Sequence, residues 1–139
     1  MYTVLGVTPY VDRVVELLDQ AARGGTSEAS ALVIERDGTI AGLILFGLVA
    51  GTSGAARIHA LVVDRGVSAD DVGGRLASAA AATAAAAGAR LLLAELPDDP
   101  ALGPVPAVLA RSGFREEARV PDFFRDGVAL AFLRRDLTG

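Results

Sequence analysis

Residues 56–88 read ARIHALVVDRGVSADDVGGRLASAAAATAAAAG, and the hydrophobic period changes within this stretch. Ala56–Val63 ends in an apolar run and predicts a β-strand, and a polar loop follows from Val67 to Asp71. From Gly73 to Ala87 the pattern is helical, and Gly88 readily adopts the left-handed conformation that closes a helix. A strand, a short loop and a long helix in this order predict the start of a crossover connection.

The segments on either side complete a sheet. Arg90–Glu95 is too apolar for a half-exposed strand and follows the crossover helix, so we expect it to pair in parallel with Ala56–Val63. Upstream, tight turns join three strands into an antiparallel meander. In chain order the meander consists of Ala31–Glu35, the turn Arg36-Asp37-Gly38, Thr39–Ala50, the turn Gly51–Gly54, and Ala56–Val63.

The rest of the chain adds elements at both ends. The further predictions are a strand Tyr2–Val7, an amphipathic helix Tyr10–Arg23, a loop Leu96–Pro106, a short helix Val105–Ser112, and two final strands, Phe114–Val120 and Val128–Arg135, connected by Pro121–Gly127. The order is β-α-β-β-β-α-β-α-β-β. We therefore expect one domain over residues 1–139 of the α/β (α+β) class, with a mixed, mostly antiparallel sheet of about six or seven strands flanked by about three or four helices.

Composition excludes several classes of function. The 139 residues include no cysteine and one histidine, so a disulfide framework, a thiolate nucleophile and a multi-histidine metal centre are ruled out. All 13 basic residues are arginines dispersed along an acidic chain, which excludes a lysine Schiff base and argues against a nucleic-acid surface. Leu76–Ala87 is too short to span a membrane, and Met1–Pro9 lacks the pattern of a secretory signal. We expect a cytoplasmic protein.

Three local patterns carry a family resemblance. Val62-Val63-Asp64, a loop, and then Val72-Gly73-Gly74-Arg75-Leu76 look like the cofactor motif of the GNAT N-acetyltransferase superfamily. Ser112-Gly113-Phe114 looks like the family signal before the penultimate strand, and Pro121–Gly127 looks like the final β-hairpin of bacterial members. With the element order, the region from Ala31 to Asp136 resembles a divergent bacterial GNAT domain.

The resemblance implies acetyl-CoA as co-substrate. In the family, the strand before the long helix splays from its parallel neighbour and its backbone binds the pantetheine arm, while the following helix start holds the pyrophosphate. A helix start suits phosphate because it offers unpaired N–H groups and a positive dipole end. The residues implied for the cofactor here are Val62, Val63, Ser68, Asp71, Val72, Gly73, Gly74 and Arg75. The alternative for Gly73 and Gly74 is that they permit tight packing of the helix on the sheet.

This chain departs from the family pattern at the helix start. The pattern is Arg or Gln, two residues, Gly, one residue, then Gly or Ala, and it falls here on Ser68, Asp71 and Gly73. Ser68 and Asp71 also fit a capping box, in which they satisfy the helix N–H groups themselves. A carboxylate at the pyrophosphate position repels phosphate, so Asp71 turns outward or the cofactor binds weakly. Arg65 and Arg75 flank the loop, either as compensating charges or as solvated surface residues.

The catalytic complement is small. The family's tyrosine, four residues before the Gly-Phe glycine, is replaced by Leu109, and the chain's tyrosines are Tyr2 and Tyr10. The candidate general base is His59, because histidine has an ordinary pKa of about 6.5 and can accept a proton near neutral pH. The alternation of a strand predicts that His59 shares a face with Arg57 and Leu61. The alternative is a histidine hydrogen-bonded at the sheet surface. Glu35 and Glu95 are lesser candidates, or ordinary carboxylates at strand ends.

The expected function is acetyl-CoA-dependent transfer of an acetyl group to an amine of a small molecule or peptide. Direct attack is expected because the chain has no cysteine and no nucleophile–histidine pattern. Asp122, Phe123 and Phe124 line an acceptor pocket, pack locally or form a homodimer contact. Two alternatives remain open: a degenerate GNAT-fold module that binds CoA weakly or not at all and serves ligand sensing or protein interaction, and an unrelated small α+β domain.

Overall fold

The computed structural model describes residues 2–4, 30–64 and 67–137. Within these ranges the elements are β1 (Tyr2–Val4), β2 (Ser30–Arg36), β3 (Thr39–Leu48), β4 (Ala55–Asp64), α1 (Ala69–Ala86), β5 (Leu91–Pro97), a short 3-10 helix (Pro100–Leu102), α2 (Val105–Arg111), β6 (Arg115–Arg125) and β7 (Val128–Asp136). The predicted α+β class and the order of these elements are confirmed. The predicted helix Tyr10–Arg23 lies outside the described residues.

One mixed sheet organises the described part of the chain. Its strands follow the order β2-β3-β4-β5-β7-β6, and β1 pairs with β4 outside this path. The pairs are antiparallel except for β4 with β5, whose parallel register joins Ala55–Ile58 to Leu91–Ala94. The parallel pairing expected from the crossover helix is therefore confirmed.

Helix α1 packs closely on the sheet through small residues. Its buried residues are Val72, Gly73, Leu76, Ala77, Ala80, Ala81 and Ala84. On β3, a Cβ built at Gly42 would lie 2.5 Å from Val72 Cγ1 and 2.9 Å from Leu76 Cδ1, so only glycine allows this approach. Neither of the described α-helices is long and apolar enough to cross a membrane.

Helix α1 begins at Ala69, earlier than the predicted start at Gly73. The polar residues assigned to a loop form its first turn, because Ser68 caps the helix and Asp70 and Asp71 suit its positive end. Because these residues are polar, the sequence predicts a loop where the helix in fact begins.

The last hairpin is longer than predicted. Strand β6 continues through Pro121 to Arg125, so the connection predicted over Pro121–Gly127 is wrong for most of its length. Proline is tolerated there because β6 is the edge strand of the sheet. The register shifts between Val120 and Arg125, and Asp122 has a φ of 54° within this irregularity. Other strand ends differ from prediction by a few residues.

Candidate functional site

His59 is the extra residue of a β-bulge in β4. On β3 the adjacent residues Leu45 and Phe46 pair with Ala60 and Ile58, so the register shifts by one residue at His59. A bulge of this kind bends its strand and reverses the alternation of side chains beyond it.

The reversal is visible in the core. The residues of β4 that belong to the core under α1 are Ala56 and Ile58 before the bulge and Leu61 and Val63 after it. The prediction that His59, Arg57 and Leu61 share one face is therefore wrong for Leu61, which is fully buried in that core. Simple alternation fails because the strand contains one additional residue.

Strands β4 and β5 separate at the bulge. Their parallel ladder ends at the pair Ile58–Ala94. Beyond it, β5 continues beside β7 to Pro97, and β4 continues beside β3 as far as Val63. A gap therefore opens between the two strands at their carboxyl ends, where a parallel α/β arrangement characteristically binds ligands.

A cavity of about 460 Å³ lies at this gap. It is lined by the end of β4, the start of α1 and the segment after β5: Val63, Asp64, Val67, Ala69, Pro100, Ala101, Gly103 and Pro104. Ala69 is the first residue of α1, and the N–H groups of a first helical turn have no acceptor within the helix. The cavity thus combines the end of a strand with a helix end that favours anions.

A larger cavity of about 570 Å³ occupies the groove between α1 and α2. Its lining residues are Asp70, Asp71, Gly74, Arg75, Ser78, Val108, Arg111 and Ser112. None of these belongs to β4 or β5, so this groove is separate from the gap despite its size.

Three side chains order the first turn of α1. Ser68 Oγ accepts a hydrogen bond from the Asp71 N–H at 3.2 Å, which confirms the Ser68 half of the predicted capping box. The Asp71 carboxylate accepts a hydrogen bond from Arg36 Nη2, and this contact, with the nearby charge of Arg75, holds the pKa of Asp71 below its ordinary value. Asp71 is thus turned toward β2.

Asp70 is paired as well. Its Oδ1 accepts a hydrogen bond from Arg111 Nε at 2.9 Å and another from Arg111 Nη2. Both carboxylates of the first turn therefore have arginine partners from other elements of the fold.

Solved structures share this architecture, although no family model and no curated protein matches the sequence. A candidate acetyltransferase of the GNAT family from Desulfovibrio desulfuricans matches with a TM-score of 0.85 at 24% identity, over 94% of this chain and 84% of that one. The aminoglycoside 6′-N-acetyltransferase from Enterococcus faecium matches with a TM-score of 0.72 at 14% identity, over 100% of this chain and 98% of that one. This chain has the GNAT fold. A third GNAT-fold match, a candidate acetyltransferase from Salmonella typhimurium solved with its cofactor acetyl-CoA, has a TM-score of 0.68 at 19% identity and covers 92% of this chain and 73% of that one.

In this GNAT fold, Val62 and Val63 lie on the part of β4 that borders the gap. Both residues pair with β3 on one side and with β1 on the other, and a strand has only two edges. Strand β1 therefore occupies the edge that faces away from β3. Backbone contacts from Val62 and Val63 to a ligand in the gap would require β1 to leave this edge.

The two glycines of the motif have different surroundings. A Cβ at Gly73 would lie 3.1 Å from Val108 Cγ1 and 3.6 Å from Val63 Cγ2, so Gly73 lies at a close contact among α1, α2 and β4. A Cβ at Gly74 would meet nothing within 4 Å. Gly74 and Arg75 line the groove between the helices, Val72 is buried, and Ser68 is exposed. The packing alternative thus explains Gly73.

The position of the family tyrosine is inside the core. Leu109 of α2 has no exposed surface and packs in the main hydrophobic cluster. Leu109 therefore contributes packing and no proton donor. Of the chain's two tyrosines, Tyr2 begins β1 and Tyr10 lies outside the described residues.

The candidate bases lie in different places. Glu95 follows the last parallel pair on β5, as His59 does on β4. Arg57 Nε is 3.4 Å from Glu95 Oε1 but forms no hydrogen bond with any described residue. Glu35 is on β2, which is separated from β4 by β3, so the fold does not bring it to the gap.

The hairpin residues are arranged at its tip. Phe123 is 57% exposed and contacts Phe124 edge to face, with ring centroids 4.9 Å apart. Asp122 Oδ1 accepts a hydrogen bond from the Gly127 N–H at 2.8 Å, so this carboxylate closes the turn. An exposed aromatic ring is available for a partner or an acceptor, whereas Asp122 has a structural contact.

Sequence analysis missed Arg36 and Arg111. The sequence predicts Arg36 in a turn and Arg111 in a short helix. In the structure they contact the start of α1 across 35 and 41 residues of sequence, respectively. Arg65, the other predicted charge near this helix start, lies outside the described residues. The acidic pair at the helix start was the available signal, since closely spaced carboxylates require compensating cations.

Proposed function

We propose that residues 1–139 form one acetyltransferase domain of a cytoplasmic member of the GNAT superfamily, which transfers an acetyl group from acetyl-CoA to an amine of a small molecule or peptide. The observation that carries the proposal is the cavity at which the end of β4, beyond its separation from β5 at Ile58, meets the start of α1. The bulge at His59 lies where the strands separate, outside the residues that line the cavity. The GNAT fold of the solved matches supports the same activity.

The cavity fits the proposed cofactor. Its walls include Val67 and Pro104, which offer an apolar surface to a pantetheine arm, and the backbone at Ala69, which offers N–H groups to a pyrophosphate. The carboxylates of the first turn, Asp70 and Asp71, have arginine partners, which reduces their repulsion of phosphate. We assign the backbone from Ser68 to Gly74 to the pyrophosphate.

Bound acetyl-CoA supplies an acetyl group activated as a thioester. The chain supplies positioning and removal of a proton. We assign His59 as the residue that accepts the proton of the acceptor amine, because it lies where the gap begins and because histidine is the side chain that most often acts as a general base. Glu95, at the matching position on β5, is the carboxylate that attracts the positively charged amine.

The departing thiolate has no tyrosine partner from α2, since the position is Leu109. We propose that solvent protonates it. A thiolate is a good leaving group compared with an amine, so direct attack does not require a dedicated acid from the protein.

The second candidate function is the degenerate module that binds CoA weakly or not at all. The observation that favours it is the pairing of β1 with Val62 and Val63, the backbone that the resemblance assigns to the pantetheine arm. In that case the fold would serve ligand sensing or interaction with another protein.

Calorimetry with acetyl-CoA and CoA separates the two functions. Ala101 lines the cavity and Ala107 is an exposed residue of α2 outside it, so Ala101→Trp and Ala107→Trp form a matched pair. We expect Ala101→Trp to abolish binding and Ala107→Trp to bind as the unmodified chain does. Equal binding by both variants would remove the cofactor from this cavity, and no binding by any folded form would favour the module. Mass spectrometry of an amine panel then detects acetylated products.

A further inference from the structure

Arg36 and Asp71 link two distant segments at the helix start. Arg36 is the last residue of β2, and Asp71 is the third residue of α1. The guanidinium donates to the Asp71 carboxylate through Nη2, and the two side chains are 41% and 47% exposed. The contact is therefore accessible to solvent and to a ligand at the start of α1.

The direction of this contact follows from the sheet order. The gap lies between β4 and β5, whereas β2 lies beyond β3 on the opposite side of β4. Successive residues of a helix are rotated by about 100°, so Asp71 projects from a different side of α1 than Ala69, which lines the cavity. Arg36 thus holds the Asp71 carboxylate on the side away from the gap.

The charge at this point matters for an anion. The N–H groups of a helix start attract negative charge, and an unpaired carboxylate in the first turn competes with a phosphate for that attraction. A guanidinium paired with this carboxylate removes the competition. The pKa of Asp71 is held below its ordinary value chiefly by this hydrogen bond, so the carboxylate stays charged and requires a cation at neutral pH.

We propose that Arg36 is a positioning residue for the cofactor pyrophosphate, which neutralises Asp71 and holds it away from the cavity so that the start of α1 can accept phosphate. The inference rests on the proposed function and extends it to a residue on another strand. It also accounts for how the helix start can accommodate an aspartate where the family pattern has glycine.

A double-mutant cycle tests this role. The variants are Arg36→Met, Asp71→Asn and the double variant, and calorimetry measures the affinity of each for CoA and for pantetheine, which lacks the pyrophosphate. Arg115→Met is the control, because Arg115 forms a comparable exposed ion pair with Asp136, which terminates β7 rather than bordering the cavity. Each CoA titration is repeated at high salt.

We expect Arg36→Met to weaken CoA binding by about two- to fivefold, the effect of one charge near a helix terminus. The double variant should bind CoA at least as well as the unmodified chain, and high salt should reduce the difference. Pantetheine binding should be equal in all variants. Undiminished CoA binding by Arg36→Met, equal losses for both ligands, or no rescue by Asp71→Asn would overturn the inference. Failure of the unmodified chain to bind CoA would instead overturn the proposed function, and the inference with it.

Discussion

His59 and Glu95 occupy matching positions on β4 and β5, each being the residue that follows the last pair of the parallel ladder. The point where the strands separate therefore presents an imidazole on one strand and a carboxylate on the other. These are the two side-chain types that most often move protons in enzymes. In the proposed chemistry His59 accepts the proton and Glu95 attracts the amine, and substitutions can distinguish these two roles.

Substitution of His59 tests the first role. We expect His59→Ala to lower kcat by about 10²–10⁴-fold while cofactor affinity stays nearly unchanged, because a general base acts only in the chemical step. In the unmodified enzyme, kcat should rise with pH through the neutral range as histidine loses its proton. Rates are measured with an acceptor found among polyamines, amino acids, antibiotics and peptide N-termini.

Glu95→Gln is the matched variant for this measurement. We expect it to raise the KM for a cationic acceptor and to keep the rise of kcat with pH. If His59→Ala retains turnover within a few-fold and Glu95→Gln loses the pH dependence, the assignments of the two residues are exchanged.

The paired glycines give a prediction on stability. Gly73→Ala places a Cβ 3.1 Å from Val108 Cγ1, whereas Gly74→Ala meets nothing within 4 Å. Gly74→Ala should stabilise the protein by about 0.5–1 kcal/mol because alanine favours the helix, and Gly73→Ala should have the lower Tm of the two variants. Thermal unfolding measures both. A higher Tm for Gly73→Ala would show that Val108 moves aside without cost.

Two substitutions of Ser68 distinguish its effect on stability from its effect on anion binding. Ser68→Ala removes the hydrogen bond to the Asp71 N–H and should cost about 0.5–2 kcal/mol in the free energy of unfolding. Ser68→Asp keeps a capping oxygen but adds a negative charge at the same place. We expect Ser68→Asp to unfold near the unmodified Tm and to bind CoA more weakly. Unaltered CoA affinity in a capped Ser68→Asp protein would argue against phosphate at this helix start.

The contacts of Asp99 predict that the stability of the folded protein depends on pH. Its carboxylate accepts hydrogen bonds from the Ala101 N–H at 2.9 Å and from Arg125 Nη2 at 2.7 Å, and both lower its pKa from the ordinary 3.8. A lowered pKa in the folded state contributes stability above pH 3.8, and the contribution is lost as pH falls through the folded-state pKa.

Asp99→Asn should therefore be less stable than the unmodified protein at neutral pH, and the difference should shrink in acid. Denaturant unfolding at successively lower pH measures this convergence. Arg125→Met, which leaves the Ala101 contact in place, should show a smaller convergence. A difference that stays constant down to strongly acidic pH would contradict the assigned contacts.

Periodic segments were predictable from sequence because local patterns decide them. The parallel partner of Ala56–Val63 follows from an apolar segment after a crossover helix, and the Ser68 cap follows from residue chemistry at a helix start. The predicted start of α1 is wrong because the polar residues Asp70 and Asp71 suit a first helical turn as well as a loop.

The bulge and the arginine contacts could not be predicted in the same way. After His59 every residue up to Val63 is apolar, so no alternation remains to show which face each side chain takes. The contact of Arg36 with Asp71 depends on how β2 and α1 meet in space across 35 residues of sequence. The residue pattern within one segment does not indicate which distant segment it contacts in the fold.

The bulge also constrains how the chain can change in length. Leu61 and Val63 reach the core only because one additional residue separates them from Ile58. Substituting His59 keeps that count, and the strand retains its pairing. Deleting residue 59 would shift the whole end of β4 by one position, turning Leu61 and Val63 away from the core under α1 and their neighbours toward it. For the fold alone, the identity of residue 59 is thus open to exchange, whereas its removal would require the strand and the helix to be rebuilt together.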